Sequence, residues 1–161
     1  ESCRHNLAYW DGTPYLGLGT AAASMADRGT YGALRRLAPS LPTVAPSTAR
    51  VRLTCTSTAR DVAETCGDPS SLAFEVEELA AREAAAEDLM LAARTSDGLG
   101  PDLLTRARDA IGASAVDRTV DTLVGEGLLV PGTDGGFTPT ERGWLMGNEV
   151  FGALWDLADE G

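Results

Sequence analysis

The clearest hydrophobic rhythm lies in the second half of the chain. Across residues 80–94, an Ala-rich and Glu-rich stretch places Ala86, Leu89, Met90 and Ala93 three and four residues apart, the spacing of one helix face, and it stops at Asp97 and Gly98. Gly100 and Pro101 predict the opening of a second helix, with Leu103, Leu104, Ala107 and Ile111 on one stripe. Ser114, with Asp117 three residues on, predicts an N-cap for a third helix; its Val116, Val120, Leu123 and Val124 repeat at three and four until Gly127 ends it. Residues 128–130 then read as a strand, 131–136 as a tight turn, and Phe137 as the start of a return strand. Thr140 caps a last helix with Trp144, Asn148, Phe151 and Trp155 along one side. Three helices, a Gly-rich hairpin and a closing helix make a winged-helix arrangement.

The first half has no such rhythm. It is rich in Gly, Pro, Ser and Thr, with short apolar stretches at 15–18 and 51–53, and reads as loops and brief strands rather than a self-sufficient domain. Charge sharpens the division. Residues 1–71 hold seven Arg and six acids, a balance of +1, whereas residues 72–161 hold six Arg and 18 acids, a balance of −12. Two regions, 1–71 and 72–161, are therefore expected, in an α+β chain whose 161 residues and 43% hydrophobic content are ample for a buried core.

The net charge of −11 makes nucleic acid and anionic membrane poor partners. The third helix of a winged helix commonly enters a DNA groove, yet this one offers Asp117, Arg118, Asp121 and Glu126, a surface that repels phosphate. Packing on a neighbouring domain is the better use for it. No apolar run of roughly 18 residues predicts a membrane span, and nothing resembles a secretory leader. Cys3, Cys55 and Cys66 stand in no CxxC spacing; with one His in total they cannot assemble a structural zinc or iron-sulfur site, and a reducing cytoplasm is the expected compartment.

Candidate chemistry gathers near the beginning. His5, Asn6, Tyr9 and Trp10 put an imidazole, an amide, a phenol and an indole within six residues, a composition suited to a site wall, although Tyr9 and Trp10 also suit a core with satisfied polar tips. Residues 17–22 match a loose dinucleotide fingerprint without the strand-helix-strand unit or the spaced acid that would support it. What survives is a Gly17-Leu18-Gly19 loop where backbone approaches a ligand or another strand. Cys55 and Cys66 read as structural thiols, Glu77, Glu78, Glu87 and Asp88 as a solvated face, and Asn148 as a buried hydrogen-bonding strut.

These residues also form an ordered series. His5-Asn6-x-x-Tyr9-Trp10, followed by Tyr15-Leu16-Gly17-x-Gly19-x-x-Ala22, resembles the end of the catalytic barrel in radical S-adenosylmethionine proteins of the oxygen-independent coproporphyrinogen III oxidase group, in the form typical of the haem-chaperone branch. The likeness continues through Val76-Glu77-Glu78-Leu79, Ala86 to Leu91 with Arg94-Thr95 and Gly98-Leu99, Gly127-Leu128-Leu129, and Phe137-Thr138-Pro139 with Arg142-Gly143 and Asn148-Glu149-Val150, which resemble that family's C-terminal domain.

The resemblance implies that 1–71 are the last strands and loops of an incomplete radical S-adenosylmethionine (β/α) barrel, and 72–161 the family's winged-helix-like domain. It implies His5 as a haem-iron ligand, with a histidine hydrogen-bonded under the barrel rim as the alternative, Asn6, Tyr9 and Trp10 as pocket wall, and Gly17, Leu18 and Gly19 as the loop beside S-adenosylmethionine, with a structural tight turn as the alternative. Cys3 stands as a possible thiolate ligand or a small buried thiol. The family's CxxxCxxC, which holds a 4Fe-4S cluster, does not occur in this sequence, and Ala23 stands where the chaperone branch often has His. The expectation is a C-terminal fragment that binds no cofactor and does no chemistry alone, with its own N-terminal barrel and haem or porphyrin as partners. The competing expectation is an independent winged-helix interaction module.

Overall fold

The computed structural model describes residues 12–65 and 68–159. The chain is a mixed α+β protein that divides into two compact units, one holding Thr13–Ala80 and the other running on from Ala81. The strands form small open sheets, and no barrel closes among the described residues.

The first unit is built on an antiparallel sheet in the order β1 (Ala23–Asp27), β2 (Thr48–Cys55), β3 (Phe74–Ala80). The central strand buries Val51, Leu53 and Cys55 at the period of two that a one-faced sheet requires. Thr48 is also buried, three residues before Val51. A register shift between Thr48 and Arg50 resets the phase and accounts for that odd spacing. Between β1 and β2 runs α1 (Arg28–Leu37), capped by the Asp27 carboxylate, which accepts from the Thr30 N–H at 2.8 Å. Tyr31 of α1 is 1% exposed and packs in a core with Ala26, Ala38, Leu41, Val51 and Leu53, while its hydroxyl donates to the Pro42 carbonyl at 2.9 Å. A short helix, α2 (Ala59–Glu64), starts at a reciprocal cap between Thr58 and Asp61. The expectation of loops and brief strands is corrected here: an eight-residue strand, a ten-residue helix and a separate apolar core stand in their place.

The second unit contains α3 (Ala81–Ala92), α4 (Pro101–Ile111), α5 (Ala113–Gly125), the hairpin β4 (Leu129–Pro131) and β5 (Phe137–Pro139), α6 (Glu141–Leu145), α7 (Gly147–Trp155) and a 3-10 turn at Asp156–Ala158. Leu99 adds a bridge to Phe137 through two backbone hydrogen bonds of 2.7 and 3.0 Å. Gly98 is obligatory beside it: its φ is +64°, and a Cβ there would sit 2.2 Å from the Phe137 carbonyl oxygen. Leu89, Leu104, Val116, Leu128, Val150 and Leu154 head the common core. Arg82 ties the ends together, donating from Nε to the Leu157 carbonyl at 2.8 Å and from its guanidinium to the Ile111 carbonyl at 3.0 Å.

Four details differ from the sequence expectation. The N-cap of α5 is Gly112, with no side-chain cap; Ser114 lies exposed inside the helix, and Asp117 instead pairs with Arg108 at 2.8 Å. The closing helix is two helices broken at Met146, and its inward residues are Val150, Leu154 and Leu157. Trp144, Asn148 and Trp155 are exposed, so Asn148 is no buried strut. Glu87 is buried rather than solvated, 7% exposed on the packed face of α3.

Candidate functional site

Of the expected site residues, Gly17, Leu18 and Gly19 fall within the described structure, and all three line the mouth of an apolar cavity of about 310 Å³ in the first unit. The loop is held by backbone geometry. Tyr15 and Met25 exchange two hydrogen bonds of 2.9 Å, the Gly17 N–H donates to the Ser24 hydroxyl at 3.0 Å, and beyond the loop Ala21 and Ala22 pair with both backbone groups of Cys55 at 3.0 Å. Thr20 closes the arrangement by donating to the Ser57 carbonyl. A Cβ on Gly17 would meet the Ala23 carbonyl oxygen at 2.2 Å, so the chain can pass at this distance only with glycine. The close backbone approach expected of this Gly-X-Gly is thus an approach to β1.

The floor and far wall come from other elements. Leu34 and Leu37 of α1, its C-cap Ala38 and Leu41 after it form one side, and Leu53 and Cys55 of β2 with Leu72 and Phe74 form the other. Sequence reasoning missed this wall. The signal was present as Tyr31, Leu34 and Ala38 at helical spacing, but Gly29 and Gly32 obscured it. Polar atoms are few: the Ser24 hydroxyl is engaged by Gly17, and Cys55 contributes a buried free thiol. Among the described residues, no charged side chain lines the cavity. Leu18 and Leu37 stand 93% and 72% exposed at its lip.

Charged groups lie elsewhere on the same unit. The Glu78 carboxylate accepts from the Thr48 hydroxyl and from the Ala45 N–H, the latter at 2.7 Å, and these bonds hold its carboxyl below the usual value of 4.5. Glu78 therefore fastens the 45–48 turn to β3 rather than forming an acid-base pair with Glu77, which binds Arg52 at 3.1 Å. Burial pushes the Tyr31 phenol above its usual 10.0, against the opposing charge of Arg35.

His5, Asn6, Tyr9 and Trp10, together with Cys3 and Cys66, lie outside the described residues. Among the described residues, no group of three or more His, Cys, Asp or Glu side chains is placed to hold a metal ion, and no helix is long and apolar enough to cross a membrane. Ala23, where the resembled branch often has His, is exposed at the start of β1. Comparison with protein-family models, with curated proteins and with solved structures found no match to this chain.

Proposed function

We propose that this chain is the C-terminal portion of a radical S-adenosylmethionine protein similar to the oxygen-independent coproporphyrinogen III oxidases, of the haem-chaperone branch, and that it completes a substrate or haem pocket without doing chemistry alone. The observation that carries the reading is the Gly17-Leu18-Gly19 loop, reached from the ordered motif series, standing at the mouth of an apolar cavity. An apolar wall suits the face of a tetrapyrrole. His5, one neutral imidazole in the same series, is the residue that would supply an axial nitrogen to haem iron. The described residues do not fit a 4Fe-4S cluster, since they hold no set of metal-ligating side chains. The cluster and the reductive cleavage of S-adenosylmethionine belong to the proposed N-terminal barrel.

In this reading the second unit is the winged-helix-like domain, supported by its order of helix, Leu99 bridge, two helices and hairpin. Its role is packing on a protein neighbour, because α5 presents Asp121 and Glu126 beside Arg118 and would repel phosphate. The alternative, an independent winged-helix interaction module, draws on the exposed Trp144, Leu145 and Trp155 of that unit.

Haem titration of the full-length protein tests the proposal. Wild type is expected to give a Soret band that His5→Ala shifts or abolishes at an unchanged melting temperature. An unchanged band at full occupancy ends the ligand role. The chain by itself is expected to release no 5′-deoxyadenosine from S-adenosylmethionine under reducing conditions, and release would overturn the division of labour.

A further inference from the structure

We infer that the cavity behind the Gly17-Leu18-Gly19 loop is a binding site for the hydrocarbon chain of a neutral straight-chain amphiphile, with its headgroup left outside. Size sets the first limit. A volume of about 310 Å³ holds roughly ten groups of water size at ~30 Å³ each, so it takes a chain of roughly ten carbons. A tetrapyrrole ring has more than twice as many atoms and would rest on the lip, which makes the inference independent of the haem reading.

The lining sets the second limit. Leu34, Leu41, Leu53, Leu72 and Phe74 offer hydrocarbon, the Ser24 hydroxyl accepts from the Gly17 N–H, and among the described residues no charged side chain lines the cavity. A charged group placed inside would lose hydration that the Ser24 O–H alone does not replace, whereas a hydrocarbon chain gains by leaving water for the apolar lining. The lip sets the third. Leu18 and Leu37, 93% and 72% exposed, extend the apolar surface outward where a chain would enter.

Cys55 lines the cavity as a buried thiol and serves as the reporter. With Cys3→Ser and Cys66→Ser in the background, the rate of its modification by N-ethylmaleimide is measured against n-alkan-1-ols from butanol to dodecanol. The half-protecting concentration is expected to fall about fourfold per added methylene, as burial of one CH₂ dictates, and to level at about ten carbons where the cavity is full. Decanoate should protect less than decanol. Leu18→Asp and Leu37→Asp, both at exposed positions, should each raise the half-protecting concentration at least tenfold while leaving the circular dichroism and melting unchanged.

Absence of protection, a fall that runs on through dodecanol without levelling, or equal protection in both lip variants would overturn the site. Protection that follows protein concentration rather than alcohol would do so as well, by assigning the cavity to a second copy of the chain. Haem binding without alcohol protection would overturn this inference and leave the haem reading standing; alcohol protection without haem binding would do the reverse.

Discussion

At the residue scale, the positions with fixed geometry are the ones whose substitution has a definite sign. Gly17 faces the Ala23 carbonyl with no room for a Cβ, so Gly17→Ala should force the loop off β1 and cost about 1–3 kcal/mol in chemical denaturation, the usual range for overpacking. Tyr31 titrates in the opposite sense to the acids. Its folded value is raised, so its contribution is fully present below pH 10.0 and is lost as pH rises through the folded value; Tyr31→Phe should remove that alkaline loss while costing about 0.5–1.5 kcal/mol at neutral pH through the missing bond to Pro42. For Glu78 the folded value is lowered. Its contribution is present above pH 4.5 and disappears as pH falls through the folded value, so Glu78→Gln should flatten the acid limb of the stability profile. Little of this was legible in the sequence. Two adjacent glutamates look alike as letters, and only the turn at 45–48 folded against β3 separates Glu78 from Glu77. Glu87 misled for the same reason, since helix periodicity gives a face but not how far the neighbouring helices cover it.

At the element scale, legibility followed the strength of local signals. Pro101 after Gly100 marked the start of α4, and Thr140 marked that of α6, where its hydroxyl accepts from the Gly143 N–H at 2.9 Å and donates to the Gly127 carbonyl at 2.7 Å. Thr140→Ala should therefore cost about 1–2 kcal/mol, read as a lower melting temperature of the second unit. The break at Met146 was not legible, because the apolar residues run straight through it. Its setting is tertiary: Gly143 lies so close to the Leu128 backbone that a Cβ would sit 2.1 Å from the carbonyl oxygen, which fixes where α6 lies, while Val150 and Leu154 of α7 turn toward the common core. In α1 the failure had another origin. Gly29 and Gly32 each disfavour a helix by about 1 kcal/mol relative to Ala, and burial of Tyr31 against β2 outweighs a deficit that inspection of the segment alone would make decisive.

At the scale of the whole molecule, the charge step was read as a boundary after residue 71, whereas one compact unit runs on to Ala80 because β3 pairs with β2 along its whole length. The first unit proved to have a core of its own, which the abundance of Gly, Pro and Ser concealed, since composition does not reveal strands that pair across more than twenty residues. The two cores nevertheless differ in extent. Among the described residues, the buried apolar cluster of the second unit holds fifteen residues and that of the first six, and apolar burial is the dominant favourable contribution to folding. The second unit should accordingly be the more stable in spite of its acidic surface, whose self-repulsion is softened by salt. Native-state hydrogen exchange is the direct measurement. Amides of α3, α4 and α5 should exchange only through the largest opening free energies, and those of α1, β1 and the 15–22 loop through smaller ones. A separate chain of residues 81–161 should keep its helical circular dichroism and melt cooperatively, at a temperature that rises with added salt. The reverse order of protection, with the sheet of the first unit outlasting the helices of the second, would mean that buried area does not rank these two cores.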